Sequence, residues 1–278
     1  MAITRKFLKG YGAVAGLLLL ALAVQVIMLV RWSPTGFTSS LLANVVILVW
    51  IAGGGYLLSW LGGRRRFLRF FIGQDFLVPR STQFVIYIST GENTPGGVAS
   101  VWELTEVRNL YELFFSLVPG ASGGPGLFRD CLASGLECDI KPVREGDNPD
   151  ILATNCLVVG SPTFNDAAQR YQDDLRSPVR FERTVPVDRH SVHRLCVPGE
   201  RPNEDDRRGI IVRICRDGKS YFYAAGRTVH GTAGAVYLLR RNWRGLYRRF
   251  GADKSFFVQV EVRSDDYRLA SEIGRSEL

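Results

Sequence analysis

The chain has 278 residues, 46% of them hydrophobic, with a formal net charge of +8 and a pI near 9.4. All of the excess charge sits at one end: residues 1–69 carry Arg5, Lys6, Lys9, Arg31, Arg64, Arg65, Arg66 and Arg69 and no acidic residue, while residues 70–278 hold 27 basic and 27 acidic side chains. A nucleic-acid-binding domain normally shows a basic excess of its own, so that class is set aside and no nucleic acid is expected as a partner.

The first elements predicted are membrane spans. Tyr11 to Val30 and Phe37 to Leu61 are uncharged runs, each long enough at 1.5 Å per residue to cross a hydrocarbon core of about 30 Å. A short linker, Arg31 to Gly36, joins them through Pro34. The basic residues flanking the pair outnumber the single Arg31 between them, which places both termini in the cytoplasm and the linker outside. The expectation is an N-terminal two-helix transmembrane hairpin (residues 1–63) in the inner (cell) membrane, with the bilayer as partner. Residues 64–80, rich in Arg and Phe, then read as a basic and aromatic interfacial linker, with Phe67, Phe70 and Phe71 dipping among lipid headgroups.

Residues 81–265 read as a cytosolic α/β domain. Gln83–Ile88 is a β-branched and aromatic run, and so a strand. A helix opens at Ser100, where Ser100-Val101-Trp102-Glu103 has capping-box spacing and apolar residues recur to Val118. Leu136–Val143 and Asn155–Val159 are further strands, with a helix from Asn165-Asp166 and an edge strand over 179–185. Val187 to Arg208 reads as a long loop. Ile210–Cys215 and Ser220–Ala225 flank Asp217-Gly218, the pair a type I′ hairpin turn prefers. A helix over 233–250 and a strand over 256–262 complete the pattern, and residues 266–278 read as a frayed tail. Strand–helix–strand units with one antiparallel hairpin predict a Rossmann-like, mostly parallel mixed sheet.

Ligands of such sheets gather at the carboxyl ends of the strands. Three loops qualify, and they supply the candidate binding residues: Ser89, Thr90 and Gly91; Gly160, Ser161 and Asn165; and Gly226, Arg227, Thr228, His230, Gly231 and Thr232. Glycines there allow close backbone approach to a phosphate or carboxylate, and Gly231→Val is the substitution expected to abolish binding. Gly226-x-x-x-x-Gly231 lacks the lysine of a P-loop, which removes the phosphate contact that motif needs. His190, His193 and Cys196 have no evident fourth ligand, so no metal is expected. The five cysteines (Cys131, Cys138, Cys156, Cys196, Cys215) include no Cys-x-x-Cys pair and read as reduced, small apolar residues. Glu103 and Glu106, one helical turn apart, are the carboxylates available for glycosidic chemistry, but such pairs are usually solvated, and no catalytic residue is assigned.

The hairpin at 11–61, with the paired loops Gly160-Ser161-Pro162 and Gly231-Thr232-Ala233-Gly234, resembles the two-transmembrane effectors of prokaryotic nucleotide-signalling defence systems. The resemblance implies a sensor that binds a nucleotide or similar anion and reorganises its hairpins, with further copies of the chain as partners. The alternatives are an anchored enzyme acting on a nucleotide or sugar-nucleotide, and a membrane-tethered scaffold that binds proteins.

Overall fold

Alternating apolar residues and turn chemistry build most of the sheet. The computed structural model describes residue 50, residues 54–55, residue 59 and residues 61–73, 82–89, 100–117, 136–143, 146–162, 165–184, 192–197, 207–263 and 265–278. The chain divides into two units, residues 1–64 with 124–133, and residues 65–123 with 134–278. The few described residues of the first unit are helical. The second unit is the α/β domain.

That domain starts with helix α1 (residues 65–72) and strand β1 (Gln83–Ser89), followed by α2 (Val101–Leu117), β2 (Glu137–Val143), β3 (Asn155–Val159) and α3 (Asp166–Asp174). Next come β4 (Arg180–Thr184), β5 (Val192–Cys196), β6 (Arg208–Arg216), β7 (Lys219–Gly226) and α4 (Val229–Phe250). Strand β8 (Phe256–Val262), a 3₁₀ turn (Tyr267–Leu269) and β9 (Ala270–Glu277) complete it. Seven strands form one sheet in the order β2-β1-β3-β7-β6-β8-β9, and β4 and β5 pair separately. Neighbours from β2 through β7 are parallel, while β6 runs against β7 and β8, and β9 against β8. Five of the seven strands therefore point the same way. The β6–β7 turn has Asp217 at φ 51 and Gly218 at φ 72, the two positive values a type I′ turn requires.

Because side chains alternate along a strand, each strand feeds two cores. Phe84, Ile86 and Ile88 of β1, with Phe222 and Ala224 of β7, lie under α1, α2 and α4. Val85 and Tyr87, with Tyr221 and Tyr223, lie under α3 and the β4–β5 hairpin. A charged side chain of β6 enters the first layer. Arg213 of β6 is fully buried and donates to the carbonyls of Gly251 (3.0 Å) and Ala252 and to Ser220 Oγ (3.1 Å). Those carbonyls follow the last turn of α4, where a cation is favoured. The guanidinium also lies over the rings of Phe70 and Phe222, at 5.1 and 5.5 Å, and burial lowers its pKa from the ordinary value.

The transmembrane expectation is corrected here. Among the described residues no helix is long and apolar enough to cross a membrane. The longest, α4, carries Arg240, Arg241, Arg244, Arg248 and Arg249. Residues 11–30, and 37–61 apart from 50, 54–55, 59 and 61, lie outside the described residues. The hairpin, the multi-pass membrane placement and the cytoplasmic orientation built on them are not retained.

The interfacial linker is also revised. Phe67, Leu68, Phe70, Phe71 and Ile72 have no exposed surface and belong to the first core layer. Phe67 packs edge-on against Phe114 and Trp243, at 4.6 and 5.2 Å between ring centroids. The physical reason is that an aromatic stripe fits a protein core as well as it fits a headgroup layer, and α2 and α4 supply that core.

Three smaller departures concern the ends of elements. The expected loop 187–208 contains β5, which pairs with β4, so β4 is a hairpin strand and not an edge of the main sheet. Helix α4 starts at Val229, four residues early, because Thr228 caps it. The expected tail forms the 3₁₀ turn and β9, which pairs with β8 along its length across one irregularity at Gln259/Val260.

Candidate functional site

The sheet reverses its winding between β1 and β3. Strand β1 leads through α2 to β2 on one side, while β3 lies on the other side of β1 and leads into α3. Helix α2 covers the first core layer and α3 the second. The two connections thus leave on opposite faces, which makes the carboxyl ends of β1 and β3 the topological switch point of the sheet. Ile88 of β1 pairs with Val159 of β3, so the next residues, Ser89 and Gly160, stand side by side there. Gly160 has φ +107, and its N–H donates to the Ala224 carbonyl at 3.0 Å. Among the described residues, a Cβ placed on Gly160 would touch Ser89 Oγ alone, at 3.7 Å, an ordinary contact distance. The Ser89 hydroxyl itself is buried.

Ser161 is half-buried. Asn165 is buried, and both ends of its amide are in use: Oδ1 accepts from Ala167 N at 3.0 Å, and Nδ2 donates to the Val159 carbonyl at 2.7 Å. Its role is to tie the start of α3 to the end of β3. Thr90 and Gly91 lie outside the described residues.

The third loop is built differently. Gly226 and Gly231 bring the first turn of α4 onto the backbones of β6 and β7. A Cβ on Gly226 would lie 2.5 Å from the Gly231 carbonyl carbon, and one on Gly231 would lie 2.6 Å from the Arg208 oxygen. Thr228 Oγ1 accepts from Gly231 N (3.3 Å), and Thr232 Oγ1 accepts from Gly226 N (3.0 Å) and donates to the Thr228 carbonyl (3.2 Å). The glycines are accounted for by helix-on-strand packing, so Gly231→Val would disrupt that packing whatever binds nearby. Arg227 is half-buried, and His230 is half-buried on the first turn of α4.

Helices α2 and α4 run over the same face, and their first turns meet where Trp102 lies against His230. Two residues outside the expected binding set become prominent there. Ser100 caps α2, with Oγ accepting from Trp102 N at 3.2 Å. Glu103, the fourth residue of that capping box, is only 8% exposed and is hydrogen-bonded to the Ser100 backbone and to the Thr232 side chain of α4. Burial pushes its carboxyl up to about 7 from an ordinary 4.5, against the lowering effect of those two hydrogen bonds. Trp102, 45% exposed, lies against the His230 ring with centroids 4.5 Å apart.

Glu106, the other carboxylate noted in the sequence, has a different fate. Arg240 Nε donates to its Oε2 at 3.0 Å, while Tyr267 Oη and Asn109 Nδ2 donate to Oε1 at 3.2 and 3.1 Å. It is a fixed tie between α2, α4 and the 3₁₀ turn. The capping-box spacing was the one local signal for Glu103. That a second helix covers it depends on α2–α4 packing, which no local pattern shows.

The arrangement at the edge thus offers a buried hydroxyl beside Gly160, a carboxyl that can donate or accept near neutral pH, and an aromatic pair of which Trp102 is exposed. No protein-family model matches the chain, and no curated protein matches it either.

Proposed function

We propose that the α/β domain is a sensor that binds a nucleotide-like or related anionic ligand at the carboxyl edge of β1, β3 and β7. The observation that carries this reading is the topological switch point, where the buried Ser89 hydroxyl stands beside Gly160 with its φ of +107. Phosphates and carboxylates seek such places because strand ends and helix starts present backbone N–H groups and little bulk. Titration calorimetry of the full chain against mono- and dinucleotides tests it. Binding that weakens in Ser89→Ala and Ser161→Ala supports the reading, and no heat with any member of the panel overturns it.

One observation favours a second reading, an enzyme acting on a nucleotide or sugar-nucleotide. A carboxyl whose pKa is pushed up to about 7 sits at the same edge, and a general acid works best when its pKa is near the working pH. Glu106, engaged by Arg240, is not available for that role. Release of a free base or sugar from NAD or a UDP-sugar by the full chain, lost in Glu103→Gln, would establish turnover.

A further inference from the structure

The described surface exposes six large apolar side chains, and three of them gather at one place. Val101 and Trp102 open α2, and Val229 opens α4; the others, Leu269, Ile273 and Leu278, lie on the 3₁₀ turn, β9 and the last residue. Scattered exposed apolar residues are ordinary, but a tryptophan in contact with a second ring beside a buried carboxyl is a specific constellation.

We infer that Trp102 and His230 form a stacking platform for a nucleobase and that Glu103 engages the sugar hydroxyls of the same ligand. This rests on the proposed ligand site and names the chemistry of its ligand. Three features argue for it. First, Trp102 keeps nearly half its surface open although His230 covers part of it, and a flat, open π-face is what any base can stack on. Second, Glu103 follows Trp102 in sequence, is buried, and is held by the Ser100 backbone and by Thr232 on the first turn of α4. A carboxylate accepts from ribose hydroxyls as acidic residues do in dinucleotide sites. Third, the parts belong to one end of the sheet. Ser89 and Gly160 follow the paired residues Ile88 and Val159 at the carboxyl ends of β1 and β3, and α4, which carries His230, follows the carboxyl end of β7, the parallel neighbour of β3.

The full chain is titrated with AMP and with ribose 5-phosphate, which shares the sugar and phosphate but has no base. The expected result is that AMP binds about tenfold more tightly or better, the worth of one stacked base. Trp102→Ala removes that difference by weakening AMP alone, and Trp102→Phe keeps most of it. Equal affinity for the two probes, or a Trp102→Ala variant that weakens both alike, overturns the stacking platform while the ligand site stands. Failure of both probes to bind overturns platform and site together.

Discussion

Arg240 on α4 reaches Glu106 on α2 with Nη2 3.0 Å from Oε2, and the carboxylate it meets is almost completely covered. With Tyr267 and Asn109 also donating, this one side chain holds three elements in register. Breaking one side of such a pair leaves a buried charge without compensation, at a cost of about 3 kcal/mol or more. Arg240→Ala is therefore expected to lower the urea midpoint by that equivalent, and Glu106→Gln/Arg240→Ala together by less than the sum of the singles. Additive effects in the cycle would show that the pair is not coupled.

Glu103 makes a prediction about pH. In the folded chain its carboxyl titrates at about 7, against an ordinary value of 4.5. Between those values the folded form holds a proton that the unfolded form has lost, so stability falls as pH rises from 4.5 to 7 and is level above that. The full span is worth about 3 kcal/mol. Glu103→Gln should flatten this part of the profile and be the more stable protein at pH 8. Melting temperatures of both proteins at pH 5 and pH 8 decide it; parallel shifts would show that Glu103 is not the group responsible.

Gly226 predicts a packing defect. Its absent side chain is what lets the first turn of α4 touch β7, and a methyl group there would stand 2.5 Å from backbone that cannot rotate away. Gly226→Ala should cost about 2–3 kcal/mol, in the range of overpacked cores. Equilibrium denaturation gives the number. A neutral effect would mean that the helix start can lift off the sheet.

Phe70 separates a core role from a surface one. It lies between Phe71, Phe222, Trp243 and Phe256, with the Arg213 guanidinium over its ring. Phe70→Ala is expected to cost about 3–5 kcal/mol. A phenylalanine resting at a lipid surface would cost almost nothing in a stability assay performed without lipid.

Much of the sheet is legible in the sequence because its signals are local. Asp217-Gly218 specifies its turn, Asn155–Val159 is a strand at the bounds its apolar run sets, and Ser100-x-x-Glu103 starts α2 where the capping box says. What the sequence hides is set by partners distant along the chain. The arginine and phenylalanine stripe at 64–72 reads equally as headgroup binder or core until Phe114 and Trp243 are known to lie against it. Strand β9 looks polar because it is an edge strand with no fully buried residue, so its pairing to β8 leaves no apolar trace. At the proposed site, the strand-end turns are legible from turn chemistry alone. The contacts of Trp102 with His230 and of Glu103 with Thr232 depend on α4 running beside α2.

Helix α1 fixes where the chain can be cut. A fragment beginning at residue 75 or 81, where the hydropathy break would tempt one to trim, discards Phe67, Leu68, Phe70, Phe71 and Ile72 and leaves Phe114, Phe222 and Trp243 facing water. At the other end, Leu278 N donates to the Ser255 carbonyl at 3.0 Å, so even the last residue is stitched to the sheet. Expression of the α/β portion by itself should therefore begin upstream of Arg65 and keep Leu278; shorter pieces are expected to aggregate.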